Sequence, residues 1–177
     1  NGHTAALVEP DLTLSWLCIP RFDSEPLFAS ALDPRRGGGL TVQLEIDGQP
    51  VALAPTDQRY IGRSAVLQTT LTGPGVRVTA TDFMPWGMHG LVRRFDVEGA
   101  RGPARLRFTV SPVQSAHLPV EQWEGGCRTA DGVALFHGVN LTLQGGAAWL
   151  YVAWGPSQAA AEAALADLQQ ASLDEEI

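Results

Sequence analysis

From Leu40 onward the chain advances in two-residue steps. Leu40, Val42, Leu44 and Ile46 fall on one side of the pattern, and Thr41, Gln43 and Glu45 on the other. Side chains of an extended strand alternate between its faces, so this run fits a strand with one face buried and one in water. Asp47-Gly48 follows, a pair suited to a tight hairpin, and leads into a short strand at 51–53. The theme returns at 64–71, 76–83, 91–97, 105–110, 133–137, 141–143 and 147–154, with a Gly73-Pro74-Gly75 turn between the first two. In 105–110, Leu106, Phe108 and Val110 face one way and Arg105, Arg107 and Thr109 the other. Strands this close together, joined by turns and not by helices, predict an all-β fold: an antiparallel β-sandwich of roughly a dozen strands.

One helix is expected, at the end. Pro156 suits a first helical turn, Ser157 can cap it, and an alanine-rich run with Glu162, Leu165 and Leu168 follows. Ala161, Leu165 and Leu168 make a narrow apolar stripe, read as too thin to bury the helix in the sandwich's own core. The β-sandwich is therefore assigned to residues 1–155. Residues 156–177, ending Asp174-Glu175-Glu176-Ile177, are expected to form a linker helix leading toward another element.

Ahead of the periodic region, 4–8 and 12–19 read as two strands around a turn at Glu9-Pro10-Asp11. The second ends in Trp16-Leu17-Cys18-Ile19, where Pro20 stops any sheet ladder, and Arg21, Phe22 and Asp23 follow at once. A strand that stops there delivers a cation, an aromatic ring and an anion to a rim. Two readings stay open for Arg21 and Asp23. They pin their own loop, with Asp23 as a helix cap in one variant, or they lean on a partner domain and shape the rim of its pocket. Residues 27–32 are expected to form one helical turn closed by Asp33-Pro34. Gly37, Gly38 and Gly39 read as a flexible turn, since no Gly-Lys-Ser/Thr follows to make a phosphate loop. Asp82 reads as a buried hydrogen-bond acceptor.

A net charge of −7 with no basic stripe argues against nucleic acid. No apolar run is long enough to cross a bilayer, Cys18 and Cys127 need not pair, and Cys18 reads as a small buried hydrophobe, so a reduced, cytoplasmic setting is expected. His3, His89, His117 and His137 lack metal-ligand spacing, and no nucleophile elbow or dinucleotide fingerprint is present, so neither metal nor cofactor is expected. Glu121 and Glu124 flank Trp123 and are the local carboxylate pair that glycoside hydrolysis would need. Near Pro119, Gly125 and Gly126, however, they read as part of a mobile, solvated loop. Among the five tryptophans, Trp149 and Trp154 read as core. Trp86 and Trp123 sit in expected loops, where a ring face could stack on a sugar.

Five groups of residues come in a telling order. They are Gly2-His3-Thr4-Ala5-Ala6-Leu7-Val8, then Trp16-Leu17-Cys18 with Pro20-Arg21-Phe22-Asp23-Ser24. Asp33-Pro34 before Gly37-Gly38-Gly39, Thr81-Asp82-Phe83-Met84-Pro85 and Leu91-Val92-Arg93-Arg94 follow. With these residues the chain resembles the start of bacterial glucoamylase- and trehalase-like enzymes of glycoside hydrolase family 15. The resemblance implies an N-terminal supersandwich domain whose pattern begins slightly upstream of Asn1, followed by a barrel of paired α-helices. That (α/α) barrel would hold both catalytic glutamates and cleave terminal α-glucosidic bonds with inversion. No catalytic residue carries over, so this chain is expected to be silent by itself. Trp16, Arg21, Phe22, Asp23, Trp86 and Trp123 are then the candidates for a substrate rim or an interdomain contact. Ser111-Pro112-Val113-Gln114 stands where the family often has a second Pro-Arg-Phe-Asp-like run. Two other readings are a free-standing carbohydrate-binding module and an oligomerisation domain.

Overall fold

The computed structural model describes residues 2–114, 121–143 and 147–174, with side chains described through Ser172. Among the described residues there are fifteen strands and one helix. The strands are β1 (Ala6–Val8), β2 (Leu14–Cys18), β3 (Pro26–Phe28), β4 (Gly39–Ile46), β5 (Gln49–Pro50), β6 (Ala54–Tyr60), β7 (Leu67–Gly73), β8 (Val76–Phe83), β9 (Gly90–Glu98), β10 (Ala104–Ser111), β11 (Glu121–Trp123), β12 (Gly126–Thr129), β13 (Gly132–His137), β14 (Asn140–Leu143) and β15 (Ala147–Gly155). Helix α1 is Gln158–Asp174.

Two antiparallel sheets enclose the core. The first runs β1-β2-β4-β10-β14, with β3 paired to β2 and β5 to β4. The second runs β11-β12-β13-β15-β9-β8-β7-β6. The alternating residues behave as their period requires. Leu40, Leu44, Leu106 and Phe108 of the first sheet are buried against Val78, Ala80, Phe95, Leu150 and Val152 of the second. Phe95 meets Phe108 across the sandwich at 5.2 Å between ring centres, and Phe28 meets Phe136 at 6.2 Å. Each such buried side chain contributes about 1.5–3 kcal/mol.

One polar clamp crosses this apolar core. Arg93 on β9 and Asp82 on β8 are 0% and 3% exposed, and Arg93 Nε donates to Asp82 Oδ1 at 2.6 Å. Arg93 Nη2 also donates to the carbonyl of Leu12 at 2.9 Å, tying the second sheet to the β1–β2 turn of the first. Leu12 has a φ of 72°, a left-handed conformation that bulky side chains avoid. The bond from Arg93 is one of the contacts that hold it there.

Four expectations are corrected. Residues 27–32 form no helical turn: Pro26–Phe28 is a strand paired to β2, with Leu27 and Phe28 both buried. Pro26, with no N–H to donate, is tolerated as its first residue. The glycine segment is pinned and not loose: Gly37 N–H donates to Asp33 O and Ala29 N–H to Gly37 O, each at 2.7 Å. A Cβ on Gly37 would sit 2.3 Å from the Ala29 backbone, so glycine is the residue that fits. The short strand expected at 51–53 is displaced to Gln49–Pro50, and 54–60 forms a further edge strand. Lastly, the helical stripe is seated and not left free. Ala161 and Leu168 are fully buried on the outer face of the second sheet, over β13, β15 and β9. The stripe suffices because the sheet is thin there: a Cβ on Gly90 would lie 2.0 Å from Leu168 Cδ1. Ser157 caps the helix as expected, its Oγ accepting from Ala160 N–H at 3.2 Å. Among the described residues no helix is long and apolar enough to cross a membrane.

Candidate functional site

The strand order gathers several loops at one end of the sandwich. β2 ends there, and Ile19 and Pro20 share a narrow crevice with Thr129, Asp131, Gly132 and Trp154. Beyond Pro20 the chain makes a tight turn: Ser24 N–H donates to Arg21 O at 3.1 Å, and Arg21 N–H to Ser24 Oγ at 3.3 Å. Arg21 Nε meets Asp23 Oδ1 at 2.9 Å, with the two side chains 63% and 58% exposed. The hydrogen bond from Arg21 is the main reason the Asp23 carboxyl is held below the ordinary carboxylate range. So Arg21 and Asp23 pin their own loop, and Asp23 caps no helix.

That turn aims Phe22 outward. Its side chain is 69% exposed, while its N–H donates to the carbonyl of His3 at 2.9 Å. Trp86 projects from the β8–β9 loop and is 84% exposed. A Cβ on Gly2 would lie 2.9 Å from its ring, so Gly2 passes directly beneath the indole. The N-terminal segment at Gly2 and His3 thus stands between the two loops and brings both aromatic side chains to one rim. Beside them lies a shallow notch lined by Arg21, Asp23, Ser24, Glu25 and Asp131. Its carboxylates accept and its guanidinium donates, which suits sugar hydroxyls or a polar protein surface.

The other candidates lie elsewhere. Trp16 is half-buried in mid-strand, opposite Leu7 of β1. Trp123 is on β11, its indole over Gly126, where a Cβ would be 2.7 Å away. It stands at the Gly125 end of its hairpin, remote along β12 from the Thr129–Gly132 turn that borders the rim. The mobile loop expected around Glu121 and Glu124 is this hairpin instead. Glu121 pairs with Arg128 at 3.6 Å, and Glu124 occupies the turn. His117 and Pro119 lie outside the described residues. Among the described residues no three His, Cys, Asp or Glu side chains converge on a metal position.

A second concavity opens between β1 and the second sheet, lined by Thr4, Ala6, Val8, Tyr60, Leu67, Asp82 and Met84 among others. At about 190 Å³ it is smaller than the roughly 300–1,000 Å³ of ordinary ligand pockets. Asp82 touches it while serving as the buried acceptor for Arg93, as expected. Arg93 itself was not singled out by sequence, although a charge inside Leu91-Val92-Arg93 was the available signal. Cys18 and Cys127 are free and buried. Burial pushes the Cys127 thiol up to about 12; it raises that of Cys18 as well, with the Glu25 charge adding to it.

Residues 1–131 match the family model described as trehalase-like, N-terminal. The chain belongs to that family. Curated relatives agree with it. A trehalase of Thermoplasma volcanium is 33% identical over 93 residues, 52% of this chain and 14% of the relative. Trehalase 2 of Sulfolobus acidocaldarius is 26% identical over 98 residues, and trehalase 1 is 32% identical over 99. Each alignment covers 55% of this chain and 16% of the relative. The aligned stretches thus cover only 14–16% of the length of these trehalases. No solved structure gives a significant match. The family match takes in the Arg21–Asp23 turn and Trp86, both within 1–131.

Proposed function

We propose that this chain is the non-catalytic N-terminal β-domain of a larger trehalase- or glucoamylase-like glycosidase of family 15 that cleaves α-glucosidic bonds in the cytoplasm. Its residues 1–155 form the sandwich, and α1 leads toward an (α/α) barrel of the same polypeptide that holds the catalytic carboxylates. The observation that carries the reading is the family match over 1–131, joined to relatives named trehalase of which the aligned 93–99 residues are only 14–16%. The rim adds a physical reason for a partner. Phe22 and Trp86 leave most of two aromatic side chains in water, and such area is recovered by packing against a neighbour. Arg21 and Asp23 beside them give that contact a polar, oriented margin that edges the barrel's sugar pocket.

The test is a Phe22→Ser/Trp86→Ser variant made in the longest natural protein containing this chain. Both side chains are exposed here, so the isolated chain is expected to keep its melting temperature within a few degrees. In the longer protein the half-life of glucosidase activity on heating is expected to fall several-fold. An unchanged half-life would remove the rim from the interdomain contact. Measurable affinity of the isolated chain for maltodextrin, lost in Trp86→Ser, would favour the free-standing carbohydrate-binding module instead.

A further inference from the structure

Among the described residues, three of the four outermost strands are short: β1 and β11 have three residues each and β14 has four. β6, at the margin of the eight-stranded sheet, has seven, all of them exposed. Long open edges are the exception in monomeric β-proteins, because unpaired backbone donors and acceptors recruit another strand. On its inner side β6 pairs with β7 in the register Asp57↔Thr70, Gln58↔Thr69, Arg59↔Gln68, Tyr60↔Leu67. Ile61 N–H donates to Val66 O at 2.9 Å, and this pair continues the same register. Antiparallel ladders alternate bonded and non-bonded pairs, so Asp57 and Arg59 also bond toward β7. The backbone of Gln58 and Tyr60 then faces the open side.

The side chains of this edge are self-complementary. Asp57 and Arg59 are two apart, share one face and already meet at 2.7 Å while 44% and 64% exposed. A second β6 laid antiparallel about a two-fold axis at Gln58 puts each Asp57 opposite Arg59 of the other copy. Gln58 pairs with its own equivalent through outward-facing N–H and C=O groups, and Thr56 stands opposite Tyr60. Opposite charges directly across a strand pair attract and like charges repel. The exposed apolar surface of Tyr60 (65%) and Ile61 (39%) flanks the same contact. We propose that β6 is the contact edge of a symmetric dimer, its occupant a second copy of this chain joined through an antiparallel β6–β6 pair. The two eight-stranded sheets become continuous, and the closed two-fold symmetry leaves this edge of neither copy open.

Sedimentation equilibrium of the 177-residue chain tests this. The wild type is expected to show a concentration-dependent approach to twice the monomer mass. Asp57→Arg alone and Arg59→Asp alone each replace both cross-strand attractions by repulsions. Each is expected to weaken dimerisation by roughly tenfold or more. Mixing the two variants restores opposite charges at both positions, so the mixture is expected to dimerise like the wild type. Gln58→Pro removes an N–H that points away from β7, along with the side-chain bonds to Val8 O and Thr69 Oγ1; set against Gln58→Ala, which loses those side-chain bonds but keeps the N–H, it is expected to abolish the dimer while Gln58→Ala keeps it. A monomer mass at every concentration overturns the proposal. So does a dimer that survives Asp57→Arg, Arg59→Asp and Gln58→Pro, or single-variant losses that mixing does not rescue.

Discussion

Asp82→Ala is the substitution whose cost the structure specifies most fully. Arg93 is wholly enclosed, and its charge is answered by Asp82 through Nε at 2.6 Å and Nη2 at 3.4 Å. Its third nitrogen, Nη1, has no hydrogen-bond partner among the described residues. Removing the carboxylate leaves a buried guanidinium with the Leu12 carbonyl as its remaining acceptor and the Phe95 ring 5.5 Å away. Breaking a buried pair from one side in this way costs about 3–5 kcal/mol. That is a large share of the roughly 5–15 kcal/mol that holds a domain folded. At about 2–4 °C per kcal/mol for a chain of this size, the melting temperature should fall by about 6–20 °C. Asp82→Leu combined with Arg93→Met removes both charges and keeps most of the volume, leaving chiefly the Leu12 carbonyl without its donor, at about 1–3 kcal/mol. Urea denaturation followed by circular dichroism should therefore find the double variant more stable than Asp82→Ala. A cost below about 1 kcal/mol for Asp82→Ala would refute the reasoning, as would a double variant that costs the sum of the singles.

Three further outcomes follow from other parts of the fold. The Cys127 thiol has an ordinary value of 9.0 when unfolded and is raised to about 12 by burial. The contribution of this thiol to stability is thus intact below about pH 9 and is lost as pH rises toward 12, by about 1.4 kcal/mol per unit. Denaturation midpoints measured from about pH 8 upward should show a shallower alkaline loss in Cys127→Ala than in the wild type. Gly90→Ala drives a methyl to within 2.0 Å of Leu168 Cδ1 and 2.9 Å of Val152 O, an overpacking of about 1–3 kcal/mol. Leu168→Ala alone costs about 2–5 kcal/mol, and the double variant should cost less than the sum in the same urea assay. Trp86 is 84% exposed whereas Trp154 is 2% exposed, so iodide quenching of this chain should drop sharply in Trp86→Phe. In the longest natural protein containing the chain, the Trp86 component should be protected.

Strands with one buried face, such as β4, β8 and β10, are legible from their alternation, whereas β9 and β15, covered on their second face by α1, are legible as longer apolar runs. Val76–Phe83 is found at the expected bounds, and β4, β9, β10 and β15 differ from expectation by a residue or so. β6 gave no such signal because all seven of its residues are exposed, and a strand without a buried face has no hydrophobic period. β3 reads as a helical turn for the opposite reason: Leu27 and Phe28 are both buried, and so short an apolar run does not distinguish strand from helix. The stripe on α1 looked thin because its partner surface, at Gly90 on β9, could not be known from the helix alone. At the rim, Pro20 and the Arg21–Asp23 pair were readable because they act within a few residues. That Trp86 joins Phe22 across Gly2 and His3, while Trp123 stays apart, depends on sheet order. Spacing along the chain does not carry that information.

The central claim is that this domain belongs to a glycosidase without doing its chemistry. The most direct measurement is glucose release from trehalose, maltose and a short α-glucan, comparing the 177-residue chain with the longest natural protein that contains it. The account predicts release by the longer protein alone, with trehalose or the α-glucans preferred according to which relative it follows. Release by the isolated chain would contradict it and make Glu121 and Glu124 the first residues to replace.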